Sequence, residues 1–118
     1  MRRAMVAILA AAGMAALLVG TLAPTASAGR WDLPGYKKCG TFRAAYVIHV
    51  YAKHTRCKIA RRVQREYWLA PRRRLVIHNG GAGAAGWVTL KRYPGWRCTS
   101  GSGGGACAKG RKQAAYQN

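Results

Sequence analysis

Acidic residues are almost absent from this chain. Asp32 and Glu66 are the only two carboxylate side chains among 118 residues, against 21 Lys and Arg. That shortage excludes most carboxylate chemistry. Glycoside hydrolysis ordinarily needs a carboxylate pair, and carboxylate-held Mg²⁺ or Ca²⁺ sites need several oxygen donors. A Ser-His-Asp arrangement would have to rest on Asp32, which sits in the short stretch "GRWDLPGYKK" (29–38), where Pro34-Gly35 marks a turn. No apolar run reaches the roughly 20 residues of a membrane-spanning helix; the longest, Val6 to Leu22, has 17 and includes Gly13, Gly20 and Thr21. No Cys-x-x-Cys pair occurs, so a thioredoxin-like redox motif is excluded. The glycine-rich stretches "NGGAGAAG" and "GSGGGACAKG" lack the Gly-Lys-Ser/Thr ending of a phosphate-cradling loop. The four cysteines stand 18, 41 and 9 positions apart, which matches no zinc-site spacing. We expect no cofactor and no metal.

What is present begins with "MRRAMVAILAAAGMAALLVGTLAPTASAG". Arg2 and Arg3, an Ala- and Leu-rich run, Pro24 and the small residues Ala26-Ser27-Ala28 have the order of a secretory signal peptide. The expectation is cleavage after Ala28 and a secreted, monomeric chain of residues 29–118. In that chain nineteen cations face Asp32 and Glu66, a net charge of +17 (19 minus 2). Such a charge attracts polyanions and strains the compact state by self-repulsion. All four cysteines lie in this part, an even number, so an oxidising compartment makes two disulfides the expectation.

Residues 29–38 read as a flexible arm and 39–118 as one disulfide-stapled domain. "TFRAAYVIHVYAK" (41–53) alternates apolar residues at even positions and reads as one strand. "TRCKIARRVQREYWLA" (55–70) reads as a helix, N-capped by Thr55 and ended by Pro71. Cys57, Ala60, Val63 and Tyr67, with Ile59 beside them, form its apolar stripe. Glu66, four residues after Arg62, is placed to offset part of the cationic repulsion on the other side. Further strands are expected at 75–78, at 87–93 and in the closing segment. The order β-α-β-β-β gives an α+β fold: a small antiparallel sheet with one helix packed on a face and two disulfides.

"CTSGSGGGAC" joins Cys98 and Cys107 across two antiparallel strands whose glycines allow any tip conformation, so this pair is expected to be bonded. Cys39 and Cys57 then remain for each other. A straight strand over Phe42 to Val50 would span about 30 Å and start Cys39 at the wrong end. A bend, a shorter strand or a different connectivity would each remove the difficulty.

Cys39-Gly40 before a strand ending in aliphatic-x-Ala, Cys57-x-x-Ala60-x-x-Val63 with Tyr67 opening a helix, Gly95-Trp96-x-Cys98, and Cys107-x-x-Gly110 before a closing strand form a recurring framework. This pattern resembles the small secreted four-cysteine proteins common in actinobacteria and their relatives. The resemblance covers most of Cys39 to Tyr116 and implies a fold and a compartment but no reaction. The Arg, Ala and Gly content fits a GC-rich genome of that kind.

The most informative surface is cationic. Lys58, Arg61, Arg62 and Arg65 on the helix, continued by Arg72, Arg73 and Arg74, place seven cations in seventeen positions, a density that packing does not require. These seven are the candidate anion-binding residues. The expected partner is an anionic polymer or surface of the cell envelope, and lipid headgroups and nucleic acid are attracted by the same charge. "REYWLAPRRR" and "LKRYPGWRC" also interleave cations with aromatic residues that could stack on bases or sugars. Two other functions fit the composition. One is a cationic antagonist, either membrane-damaging or a ribonuclease drawing on His49, His54 and His78 with Lys53 and Arg74. The other is an inhibitor of an acidic partner protein.

Overall fold

A computed structural model describes residues 31–118. The chain divides into two compact units, Met1–Asp32 and Leu33–Asn118, and only the second is described throughout. The expected signal peptide and its cleavage point lie outside the described residues.

The apolar alternation of residues 41–53 belongs to a hairpin, not to one strand. β1 (Lys37–Arg43) and β2 (Val47–Lys53) pair antiparallel around a tight turn at 44–46. β1 therefore starts inside the stretch expected to be a flexible arm, and Lys37 and Lys38 are strand residues. A helix follows, α1 (Cys57–Leu69), then a 3-10 turn at Arg72–Arg74. Five strands complete the domain: β3 (Leu75–His78), β4 (Trp87–Leu90), β5 (Arg97–Gly101), β6 (Gly104–Lys109) and β7 (Lys112–Gln117). All seven form one antiparallel sheet in the order β1-β2-β7-β6-β5-β4-β3. The fold class is the expected α+β architecture, with more strands than the sequence pattern marks.

Both disulfides are present, Cys39–Cys57 and Cys98–Cys107, and no described cysteine is free. Cys98 and Cys107 are register partners on β5 and β6. The early turn at 44–46 removes the geometric difficulty of the other pair. It folds β2 back along β1, so the chain leaves β2 beside Cys39 and enters α1 at Cys57.

α1 lies on one face of the sheet. Its stripe of Ala60 and Val63 is buried against Phe42, Ile48, Val50, Ala52, Leu90, Ala114 and Tyr116, with Ile59 and Tyr67 half-buried at the rim. The N-cap is Arg56 rather than Thr55, and no side chain caps that end. Ala70 ends the helix in extended backbone, as a residue before proline should. Buried Gln64 donates through Nε2 to the carbonyl of Ala114, tying α1 to β7. Among the described residues no helix is long and apolar enough to cross a membrane.

Candidate anion-binding clefts around the helix

Lys58, Arg61, Arg62 and Arg65 stand at i, i+3, i+4 and i+7, the spacing of one helix face. The apolar stripe holds the opposite face against the sheet, so this face points outward and all four side chains are exposed. They line a cleft of about 390 Å³ together with Thr41 and Phe42 of β1. The guanidinium of Arg65 lies over the Phe42 ring, 5.4 Å from its centre, a cation–π contact between two residues of the cleft lining. Gly40 sits at an irregularity in the β1–β2 register with φ +90. A side chain there would come to 4.0 Å from Nη1 of Arg61. That is ordinary contact distance, so it is the positive φ of the bend that calls for glycine. The two walls of this cleft, β1 and α1, are joined by the Cys39–Cys57 disulfide.

No carboxylate lines this cleft. Glu66 does not face Arg62 as its helical spacing suggested. It is 8 % exposed and turns to Arg74, whose Nη2 donates to Oε1 at 3.1 Å while Nε makes an ion-pair contact with Oε2 at 3.1 Å. Arg74 arrives from the 3-10 turn beyond Pro71, past the reach of an i,i+4 rule. Its charge is therefore compensated within the fold. Arg72 and Arg73 are exposed on the same turn and line none of the three clefts around α1. Of the seven candidate cations, the fold gathers four in one cleft and gives a fifth to Glu66.

A second cleft of about 280 Å³ continues from the first past the Glu66–Arg74 pair. A third, of about 430 Å³, opens beyond it, with Arg56, Lys109 and Lys112 as its cations and Ile59, Tyr93 and Trp96 among its walls. Sequence reading marked the cation–aromatic alternation near Tyr93 and Trp96. It missed Arg56, Lys109 and Lys112, because only the fold brings together residues more than fifty positions apart.

The aromatic residues are largely committed to the protein. Trp96 is buried in the core. Trp68 packs edge-on against Tyr67 and Tyr116. Trp87 stacks on His78 of β3, with ring centres 4.8 Å apart, and the Arg97 guanidinium of β5 lies 4.4 Å from its ring centre. The strands on either side of β4 thus supply the two partners of that indole.

The histidines are dispersed. His49 is on β2 and His54 in the turn after it, while His78 ends β3 at the far edge of the sheet. β2 and β3 are five strand positions apart, about 24 Å at 4.8 Å per strand. His78 is also engaged with Trp87 and with the Thr89 hydroxyl, 3.1 Å from Nε2. The strand order does not make neighbours of His49 and His78. Among the described residues no three of His, Cys, Asp and Glu gather where they could hold a metal ion.

No family model, curated protein or solved structure matches the chain.

Proposed function

We propose that this is a secreted, non-enzymatic domain that binds an anionic polymer of the cell envelope through the first cleft. The observation that carries the reading is the convergence of Lys58, Arg61, Arg62 and Arg65 on one cleft with no carboxylate in its lining. Cations at i,i+3 and i,i+4 on a helix repel one another, and a ligand carrying several negative charges relieves that repulsion. Guanidinium groups also offer paired donors that fit phosphate or carboxylate oxygens. Two disulfides in so small a domain are in keeping with an oxidising compartment outside the cytosol.

A polymer read through its charges is favoured over single-stranded nucleic acid. Base stacking needs open aromatic faces, whereas Phe42 is buried under Arg65, and Trp87 and Trp96 are engaged or enclosed.

The test is retention of the purified, oxidised protein on cell-wall sacculi, before and after chemical removal of their anionic polymers, with RNA, DNA and anionic liposomes in parallel. We expect retention on intact sacculi to persist beyond about 0.15 M salt, where exposed charges more than about 8 Å apart are largely screened. It should vanish on stripped sacculi. Equal retention on stripped sacculi, or release of every anion together near that salt concentration, overturns the proposal.

A further inference from the structure

The three clefts around α1 adjoin through shared lining residues. Arg62 and Arg65 line both the first and the second, and Tyr93 lines both the second and the third. The two outer clefts are cationic and contain no carboxylate. In the third, Lys109 and Lys112 are register partners at the closed end of the β6–β7 hairpin, which brings their ammonium-bearing side chains to one place. The turn at Gly95, with φ +88, leaves room for one of them. A side chain at Gly95 would come within 2.9 Å of Cε of Lys109, so the bare backbone lets that stem lie across the turn beside Trp96. The middle cleft is different. Its Glu66 and Arg74 compensate each other, and Leu69 and Tyr93 add apolar surface.

The arrangement is two cationic ends joined by a saddle in which Glu66 compensates Arg74 and the remaining charge is that of Arg62 and Arg65, shared with the first cleft. From Arg56 in the third cleft, Lys58 of the first is two residues along the chain and Arg65 is nine, about 14 Å along the helix axis at 1.5 Å per residue. A single phosphate or carboxylate cannot reach from Arg56 to Arg65, but a chain with a charge on successive units can. We propose that the three clefts form one track that holds a linear polyanion lengthwise across α1, with several successive charged units bound at once. This inference rests on the polyanion reading of the first cleft and adds the class of ligand: an extended chain rather than a compact anion. Once one end is seated, binding of the other is intramolecular, so affinity should grow steeply when the chain becomes long enough to span the saddle.

The experiment is calorimetric titration of the oxidised protein with inorganic polyphosphate of increasing length, starting from triphosphate, at several salt concentrations. The variant Arg56→Gln/Lys109→Gln/Lys112→Gln changes only exposed side chains. For the wild type we expect affinity per chain to rise by about 10²-fold or more between triphosphate and a spanning chain. The variant should still bind triphosphate through the intact first cleft and lose that rise. Its slope of log affinity against log salt for the long chain should be shallower by about two, from three lost contacts at roughly 0.7 each. An affinity per phosphate that does not change with length, or a variant that follows the wild type, overturns the track. If Arg61→Gln then still abolishes binding of short and long chains alike, the first-cleft reading survives and only the track fails. If neither short nor long polyphosphate binds the wild type, both fall.

Discussion

At the scale of single residues, the protein spends its scarce acidic groups carefully. Glu66 is nearly enclosed, whereas Arg74 keeps 26 % exposure. The two partners should therefore respond unequally to substitution. Arg74→Ala strands an enclosed carboxylate and should destabilise the fold by about 1–3 kcal/mol, less than a fully buried pair because the site is partly solvated. For a domain of this size that lowers Tm by about 5–20 °C. Glu66→Gln leaves a cation that can turn to water and should cost less, and thermal melts of the two variants decide the order. Tyr116 offers a second check. Burial, and secondarily the nearby Tyr67, raise its phenol above the usual tyrosine value near 10, while a hydrogen bond with Ser100 works the other way. Because the folded state favours the neutral phenol, this contribution to stability is intact below pH 10 and is lost as pH rises through the folded value. Tyr116→Phe should flatten the alkaline fall in Tm; an unchanged slope would show that Tyr116 does not govern it. The sequence made the cations of α1 legible, because their 3.6-residue spacing needs no tertiary information. It could not reveal that Glu66 chooses Arg74 over Arg62, since that choice is made by a turn beyond the helix.

At the scale of elements, one covalent bond connects stability to the candidate site. Cys39–Cys57 closes an 18-residue separation and Cys98–Cys107 one of 9, so chain entropy assigns each about 3 kcal/mol, slightly more to the longer loop. Their effects on binding should differ. The first ties β1 to the amino end of α1 and so holds both walls of the first cleft. The second staples β5 to β6, away from it. We expect Cys39→Ser/Cys57→Ser to weaken triphosphate binding by the first cleft at temperatures where the domain is still folded, while Cys98→Ser/Cys107→Ser lowers Tm and leaves that affinity unchanged. Equal affinity in both would separate the bond from the cleft. The helix was readable from its apolar period and from Pro71. The β1–β2 hairpin was not, because Ala44-Ala45-Tyr46 carries none of the Gly, Pro, Asn or Asp that announce a turn. The closing segment, read as one strand running on from Cys107, is two, β6 and β7, which pair antiparallel around the turn at Gly110.

At the scale of the whole molecule, charge sets the behaviour. A net +17 over residues 29–118 with two carboxylates leaves little internal compensation, and the repulsion is densest along α1. Added salt should therefore raise Tm by screening. A bound polyanion should raise it further at constant ionic strength through linkage. A Tm that falls steadily with salt would mean that the Glu66–Arg74 attraction outweighs the repulsion. Net charge alone predicts that any cation counts as much as any other, whereas the proposed function places the anion in the clefts around α1, with the first cleft as its anchor. The measurement that separates these is the salt-dependent affinity of two charge-matched variants for intact sacculi. One is Arg61→Gln/Arg62→Gln/Arg65→Gln, within the first cleft; the other is Arg43→Gln/Lys91→Gln/Arg92→Gln, exposed residues outside all three clefts. We predict that the first variant loses binding at 0.15 M salt while the second retains it. Equal loss in both would contradict the account and leave the charge without a site.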